Sequence, residues 1–139
     1  GRHCPAEQSL PTDAANVPTG HITPVDGTTF DVRSGQPLPP DIDHNLGLAR
    51  ARRDTPKRIA TLTGDPATLH IDSTEPGLQV YSGAGLPRIE GTDIAPFAGC
   101  ALEPQDWPNA VNEPRFPHVM VTPDSPYRQI TRYTLQPAT

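Results

Sequence analysis

The fold is decided by Ala67-Thr-Leu-His-Ile-Asp-Ser73, Thr74-Glu-Pro-Gly77 and Leu78-Gln-Val-Tyr-Ser82. The first and last parts are β-branched or alternating runs, and turn residues separate them. Outward from this stretch the same pattern repeats. His21–Val25, Ile42–Ala49, Arg58–Thr63, Gly99–Glu103, His118–Thr122 and Gln129–Leu135 read as further short strands. Proline-rich or glycine-rich connections (Gly35–Pro40, Gly83–Pro87 and Pro104–Pro117) lie among them. Turn residues every eight to twelve positions predict an all-β, antiparallel sandwich or barrel. Only Asn45–Arg53 offers room for two helical turns, and it sits among strand-like segments.

Composition agrees. The 19 prolines and 11 glycines make up roughly a fifth of 139 residues, against about 12% on average. Proline recurs too often for a long helix or coiled coil, and no apolar run of about 18 residues would span a membrane. There is no internal repeat, and the length fits one domain or part of one. The net charge of −5 argues against nucleic acid or an anionic membrane as partner, since both need a basic footprint. The one basic cluster, Arg50 to Arg58, is broken by Asp54 and Pro56 and reads as a solvated turn. Cys4 and Cys100 have no metal-ligand spacing and read as reduced structural thiols in preference to a disulfide. The five histidines (His3, His21, His44, His70 and His118) show no metal spacing either, so no metal is expected. No signal peptide or initiator methionine stands at Gly1, which reads as the start of a cut or processed piece.

Strand alternation then sorts side chains by face. Asp43 and Asn45 share one face, with Ile42, His44 and Leu46 on the other. Gly77, Gln79, Tyr81 and Gly83 oppose Leu78, Val80 and Ser82. Gly99, Ala101, Glu103 and Gln105 oppose Cys100 and Leu102. Three strands thus each offer an apolar face and a small, polar one. A surface built from the polar faces suits a hydroxylated small molecule. Each of these residues taken alone is ordinary, and a lone strand glutamate is more often solvated than a base. No phosphate loop and no Gly-x-Ser-x-Gly elbow is present.

Taken in order, the segments resemble the C-terminal part of the aldose 1-epimerase (galactose mutarotase) family. Leu10-Pro-Thr-Asp13 and Val17-Pro-Thr-Gly20 resemble the approach to the family's central strands. Val25-Asp-Gly-Thr-Thr-Phe-Asp-Val-Arg33 resembles its Gly-Thr-x-Phe-Asp-Phe-Arg segment, with Val32 in place of phenylalanine. Asp41-Ile-Asp-His-Asn45 resembles Gly-Tyr-Asp-His-Asn, with Asp41 in place of glycine. Ser73-Thr-Glu-Pro-Gly-Leu-Gln-Val-Tyr81 is similar to Thr-Thr-Glu-Pro-Gly-Leu-Gln-x-Tyr almost throughout. Gly99-Cys-Ala-Leu-Glu-Pro-Gln-Asp-Trp-Pro-Asn-Ala-Val-Asn112 resembles Gly-x-x-Leu-Glu-x-Gln-x-x-Pro-Asp-Ala-x-Asn. Phe116-Pro, Thr122-Pro and Tyr133 close the chain as the family does.

The resemblance covers Leu10 to Leu135 and implies a galactose mutarotase-like supersandwich, of which residues 1–139 are the C-terminal part of one domain. It implies that Glu103 is the general base for ring opening of an aldohexose such as galactose or glucose. Asp43 and Gln79 take the positions that hydrogen-bond the sugar hydroxyls. Cofactors are not implied, and the general acid is a histidine of the N-terminal half. None of the five histidines matches it, and strand alternation turns His44 away from Asp43. The chain is therefore expected to carry the base without the acid, and its implied partner is the missing N-terminal half. A cytoplasmic location follows from the resemblance and the low cysteine count. The alternative is a non-catalytic carbohydrate-binding module, which would keep Asp43 and Gln79 but have no need of Glu103. A glycosidase with Asp43 and Glu103 as paired carboxylates ranks third, because the motif order is unlike a hydrolase's. A phosphohexose enzyme would want an arginine cluster, and only Arg33 and Arg88 are at hand.

Overall fold

In a computed structural model describing residues 1–137, the strands are β1 (Arg2–His3), β2 (Gln8–Ser9), β3 (Thr23–Pro24), β4 (Asp43–Gly47), β5 (Lys57–Thr63), β6 (Ala67–Ser73), β7 (Gly77–Tyr81), β8 (Ala101–Gln105) and β9 (Thr131–Pro137). They form two antiparallel sheets, ordered β1-β5-β6-β9 and β3-β2-β4-β7-β8. Structures of this kind pack the inner faces of both sheets into one core. Here Leu46, Leu78 and Val80 from the five-stranded sheet meet Ile59, Ala60 and Ile71 from the other. A bulge between Arg58 and Ala60 lets two consecutive residues, Ile59 and Ala60, both turn inward. The opposite face of the four-stranded sheet is polar. There Arg58 donates to Asp72 at 2.8 Å, and His70 lies within hydrogen-bond distance of Arg58, Thr61 and Gln136.

A second, smaller core forms beside β4 and β7. Trp107 and Phe116 meet edge to face, 5.2 Å between centroids, with Leu10 packed among them. Trp107 donates its Nε1–H to the Pro76 carbonyl at 2.9 Å.

The all-β antiparallel reading holds, and β6 has the limits expected from its alternation. Other elements differ for local reasons. Asn45–Arg53 is not helical: Asn45 to Gly47 belong to β4, and the Leu48 and Ala49 amides then both donate to the Pro76 carbonyl. That bond pattern also ends β4 before the expected Ala49. The strand expected from Gly99 starts at Ala101, because the preceding segment still turns, with the Phe97 amide donating to Gly83. It runs through Pro104, which an edge strand tolerates. His118–Thr122 forms no strand. It contributes one bridge, Thr122 to Ser125, and leaves Met120 and Val121 exposed. His21–Val25 contracts to the two residues of β3, and Gln129–Leu135 moves to Thr131–Pro137. The two-residue strands β1 and β2 carry no periodicity and are invisible in the sequence.

Cys4 lies buried in the main core and Cys100 is half-buried, and both are free thiols. Burial pushes the Cys4 thiol up to about 11, partly offset by a backbone hydrogen bond with Ala6. The unfolded chain therefore ionises this thiol first, at its ordinary value of 9.0. Stability is unaffected below that pH and falls as pH rises toward 11, by roughly 2–3 kcal/mol over the window. Denaturant melts at pH 8 and pH 11 test this. Cys4→Ala should remove that share of the alkaline loss, and an identical loss in the variant would contradict it.

Candidate functional site

Register brings the three candidate residues together. On β4, β7 and β8 the opposed Cα pairs include Asp43 with Tyr81, Asn45 with Gln79, and Gln79 with Glu103. Asp43, Gln79 and Glu103 therefore stand on one face of three adjacent strands. Directly opposed side chains in such a pair have Cβ atoms about 4.5–5.5 Å apart. Gln79 donates its Nε2–H to Asp43 Oδ1 at 2.8 Å. Glu103 is exposed, and its carboxylate has no hydrogen-bond or ion-pair partner among the described residues. A held carboxylate and amide thus lie beside a free carboxylate, which suits hydroxyl recognition next to proton abstraction.

The opposite faces of these strands fill the core with Leu46, Leu78 and Val80, as alternation expects. His44 turns to that side and sits 4.7 Å from the Phe30 ring centroid to centroid. Its Nδ1 accepts from the Asp43 amide at 3.2 Å.

The floor of the polar face is tightly filled at one end. Added Cβ atoms would lie 2.8 Å from Trp107 Cζ2 at Gly47 and 2.6 Å from Asn45 Oδ1 at Gly77. Only glycine lets Trp107 lie this close to both strands. Asn45 is 1% exposed, and neither atom of its amide group finds a partner among the described residues. A buried, unpaired amide costs about 1–3 kcal/mol, so this position is held against its own desolvation.

The basic segment is an irregular turn exposed at Arg50, Ala51, Asp54 and Thr55, as expected from sequence, but its Arg52 and Arg53 are half-buried and engaged. Arg52 donates through Nε to Glu75 Oε1 at 2.9 Å and through a second nitrogen to Asp106. Its guanidinium lies 4.3 Å from the centroid of the Tyr127 ring, whose hydroxyl donates to Glu75 Oε2 at 3.3 Å. Arg53 donates to the Leu48 carbonyl at 2.9 Å and the Glu75 carbonyl at 3.3 Å. Arg50 packs over Trp107. Burial works to lower the Arg52 pKa, but the Glu75 hydrogen bond and the charges of Glu75 and Asp106 outweigh it, and the net shift is upward. Burial, with the Glu75 charge beside it, raises the Tyr127 phenol above its ordinary value. Glu75 is 0% exposed, so the arginine is what makes its charge tolerable there. Sequence reasoning missed this group because its members are 23 and 54 positions apart. The signal available was a Glu-Pro-Gly turn directly before a strand.

Arg33 is held by Asp26 at 2.5 Å and Asp31 at 2.7 Å, so it is already committed. Among the described residues no group of histidine, cysteine, aspartate or glutamate side chains has the arrangement to hold a metal ion. No helix among them is long and apolar enough to cross a membrane.

Comparison with known proteins gives concordant results. The family model for aldose 1-epimerase matches residues 3–134. The chain is 34% identical to a galactose mutarotase from Sus scrofa over 96% of its own length and 42% of that protein. It is 33% identical to a galactose mutarotase from Homo sapiens, over 91% of the chain and 40% of that protein. A crystal structure of an aldose epimerase homologue from C. elegans superposes with a TM-score of 0.83 at 25% identity, covering 99% of this chain and 46% of that one. The chain thus spans about two fifths of the length of the curated relatives it matches. With a family model matched along nearly its whole length, the chain belongs to the aldose 1-epimerase family.

Proposed function

We propose that the protein interconverts the α and β anomers of aldohexoses such as galactose and glucose, and that Glu103 is its general base. The observation that carries this reading is the unpaired Glu103 carboxylate beside the Gln79–Asp43 hydrogen bond, on three adjacent strands. Glu103 takes the proton from the C1 hydroxyl while an acid protonates the ring oxygen. The C1–O5 bond breaks, and the open aldehyde turns about C1–C2. Reclosure on either face returns both protons, with no covalent enzyme intermediate. Each proton transfer of this kind contributes about 10²–10⁴-fold. Asp43 and Gln79 hold the sugar hydroxyls, and their mutual bond fixes both groups before the sugar arrives.

The acid is assigned to the remainder of the protein. Among the five histidines, His44 packs on Phe30 and His70 is engaged on the opposite sheet, away from Glu103. In this reading residues 1–139 are the C-terminal part of one domain, completed by an N-terminal half. The two free thiols favour a reducing compartment, and the cytoplasm is the location proposed.

Polarimetry on freshly dissolved α-glucose tests the assignment. The full-length gene product should speed equilibration well above buffer, and the 139-residue chain alone should not. Failure of the full-length product would end the proposal. Asp43→Asn and Gln79→Ala in that product should raise KM by about tenfold each, the usual scale for a lost hydrogen bond to a polar or charged group. An unchanged KM in both would remove them from the sugar site. The second reading, a binding module, keeps Asp43 and Gln79 as the sugar contacts and needs no acid beside Glu103. Galactose binding by calorimetry without any turnover of the full-length product would select it.

A further inference from the structure

We propose that Arg52 is a positioning residue that fixes the register of β8 and so places Glu103 opposite Gln79; its bearing on catalysis rests on the function proposed above. β8 is the outermost strand of its sheet and pairs with β7 alone. Pro104 removes one of its amide donors. Residues 82–100 separate it from β7, and a connection of that length does not set register as a tight turn does. Its own backbone therefore leaves its position under-determined. A slip of one residue would turn Glu103 into the core, and a slip of two would move it about 7 Å along the strand.

Arg52 closes the other end of this strand pair. Glu75 lies two residues before β7, and Asp106 directly follows β8, so a single guanidinium joins the start of one strand to the end of the next. The register pair at that end is Gly77 with Gln105, and the following pair on the same face is Gln79 with Glu103. Arg53 adds β4 to the clamp through the Leu48 and Glu75 carbonyls. The planar fork of arginine reaches two carboxylates in fixed directions, which a lysine ammonium does not reproduce.

The test uses the full-length gene product and two variants. Arg52→Lys keeps the charge and loses the fork. Asp106→Asn leaves the buried Glu75–Arg52 pair intact and weakens only the link to β8, so it guards against a variant that does not fold. Each should lower kcat about tenfold or more with KM little changed. Combined with Glu103→Gln, neither should add a further loss, because both act through the same carboxylate. Hydrogen exchange read by mass spectrometry should rise about tenfold or more in residues 101–105 of Asp106→Asn while β5 and β6 stay protected. Unchanged exchange in 101–105 would overturn the clamp whether or not the protein has mutarotase activity. A kcat within twofold of an active wild type, or losses that multiply with that of Glu103→Gln, would overturn its catalytic role. An inactive wild type would count against the proposed function and leave the exchange measurement to decide the clamp.

Discussion

Replacing Glu103 with glutamine in the full-length protein is expected to lower kcat by about 10²-fold or more with little change in sugar affinity. Glutamine preserves the size of the side chain and its reach toward a hydroxyl, and it removes the capacity to accept a proton. The lost interaction belongs to the transition state, so kcat and kcat/KM should fall together. Structural collapse is not the expected route, because Glu103 is exposed and makes no bond among the described residues whose loss would unfold the strand. Stopped polarimetry with thermal melts of the same samples checks both halves of the statement. Near-wild-type turnover in Glu103→Gln would remove the base from this position.

Trp107→Ala should cost about 3–5 kcal/mol of folding stability, the usual scale for deleting a buried tryptophan. Trp107 is 1% exposed, meets Phe116 edge to face, and lies against the bare backbones of Gly47 and Gly77. The loss should come from packing and not from an orphaned acceptor. The Pro76 carbonyl that receives the Trp107 N–H also accepts from the Leu48 and Ala49 amides, at 2.8 and 3.1 Å. Trp107→Phe should therefore recover most of the stability by refilling the volume. Urea denaturation should show the midpoint shift at constant m-value. A loss below about 1 kcal/mol for Trp107→Ala would mean that the second core is not cooperative with the sandwich.

Much of this was legible in the sequence. Alternation in Ala67–Ser73 and in Gly77–Tyr81 determined strands whose apolar residues reach the core, because a period of two permits only one buried face. The same parity placed Asp43, Gln79 and Glu103 on polar faces, and motif order supplied the family. Parity says nothing about which strand lies beside which. Only the tertiary structure decided that β7 stands between β4 and β8, and so that three residues 36 and 24 positions apart in sequence share one face of adjacent strands. It also decided the fate of the charged segment. Arginines that look solvated in sequence are drawn inward by Glu75, a carboxylate that strand packing buries and that must be neutralised where it lies. The exposed run at His118–Thr122 shows the converse, since β-branched residues make a strand only where a neighbouring strand accepts their hydrogen bonds. Propensity and parity are local and survive in the sequence, whereas partner choice is a property of the packed whole.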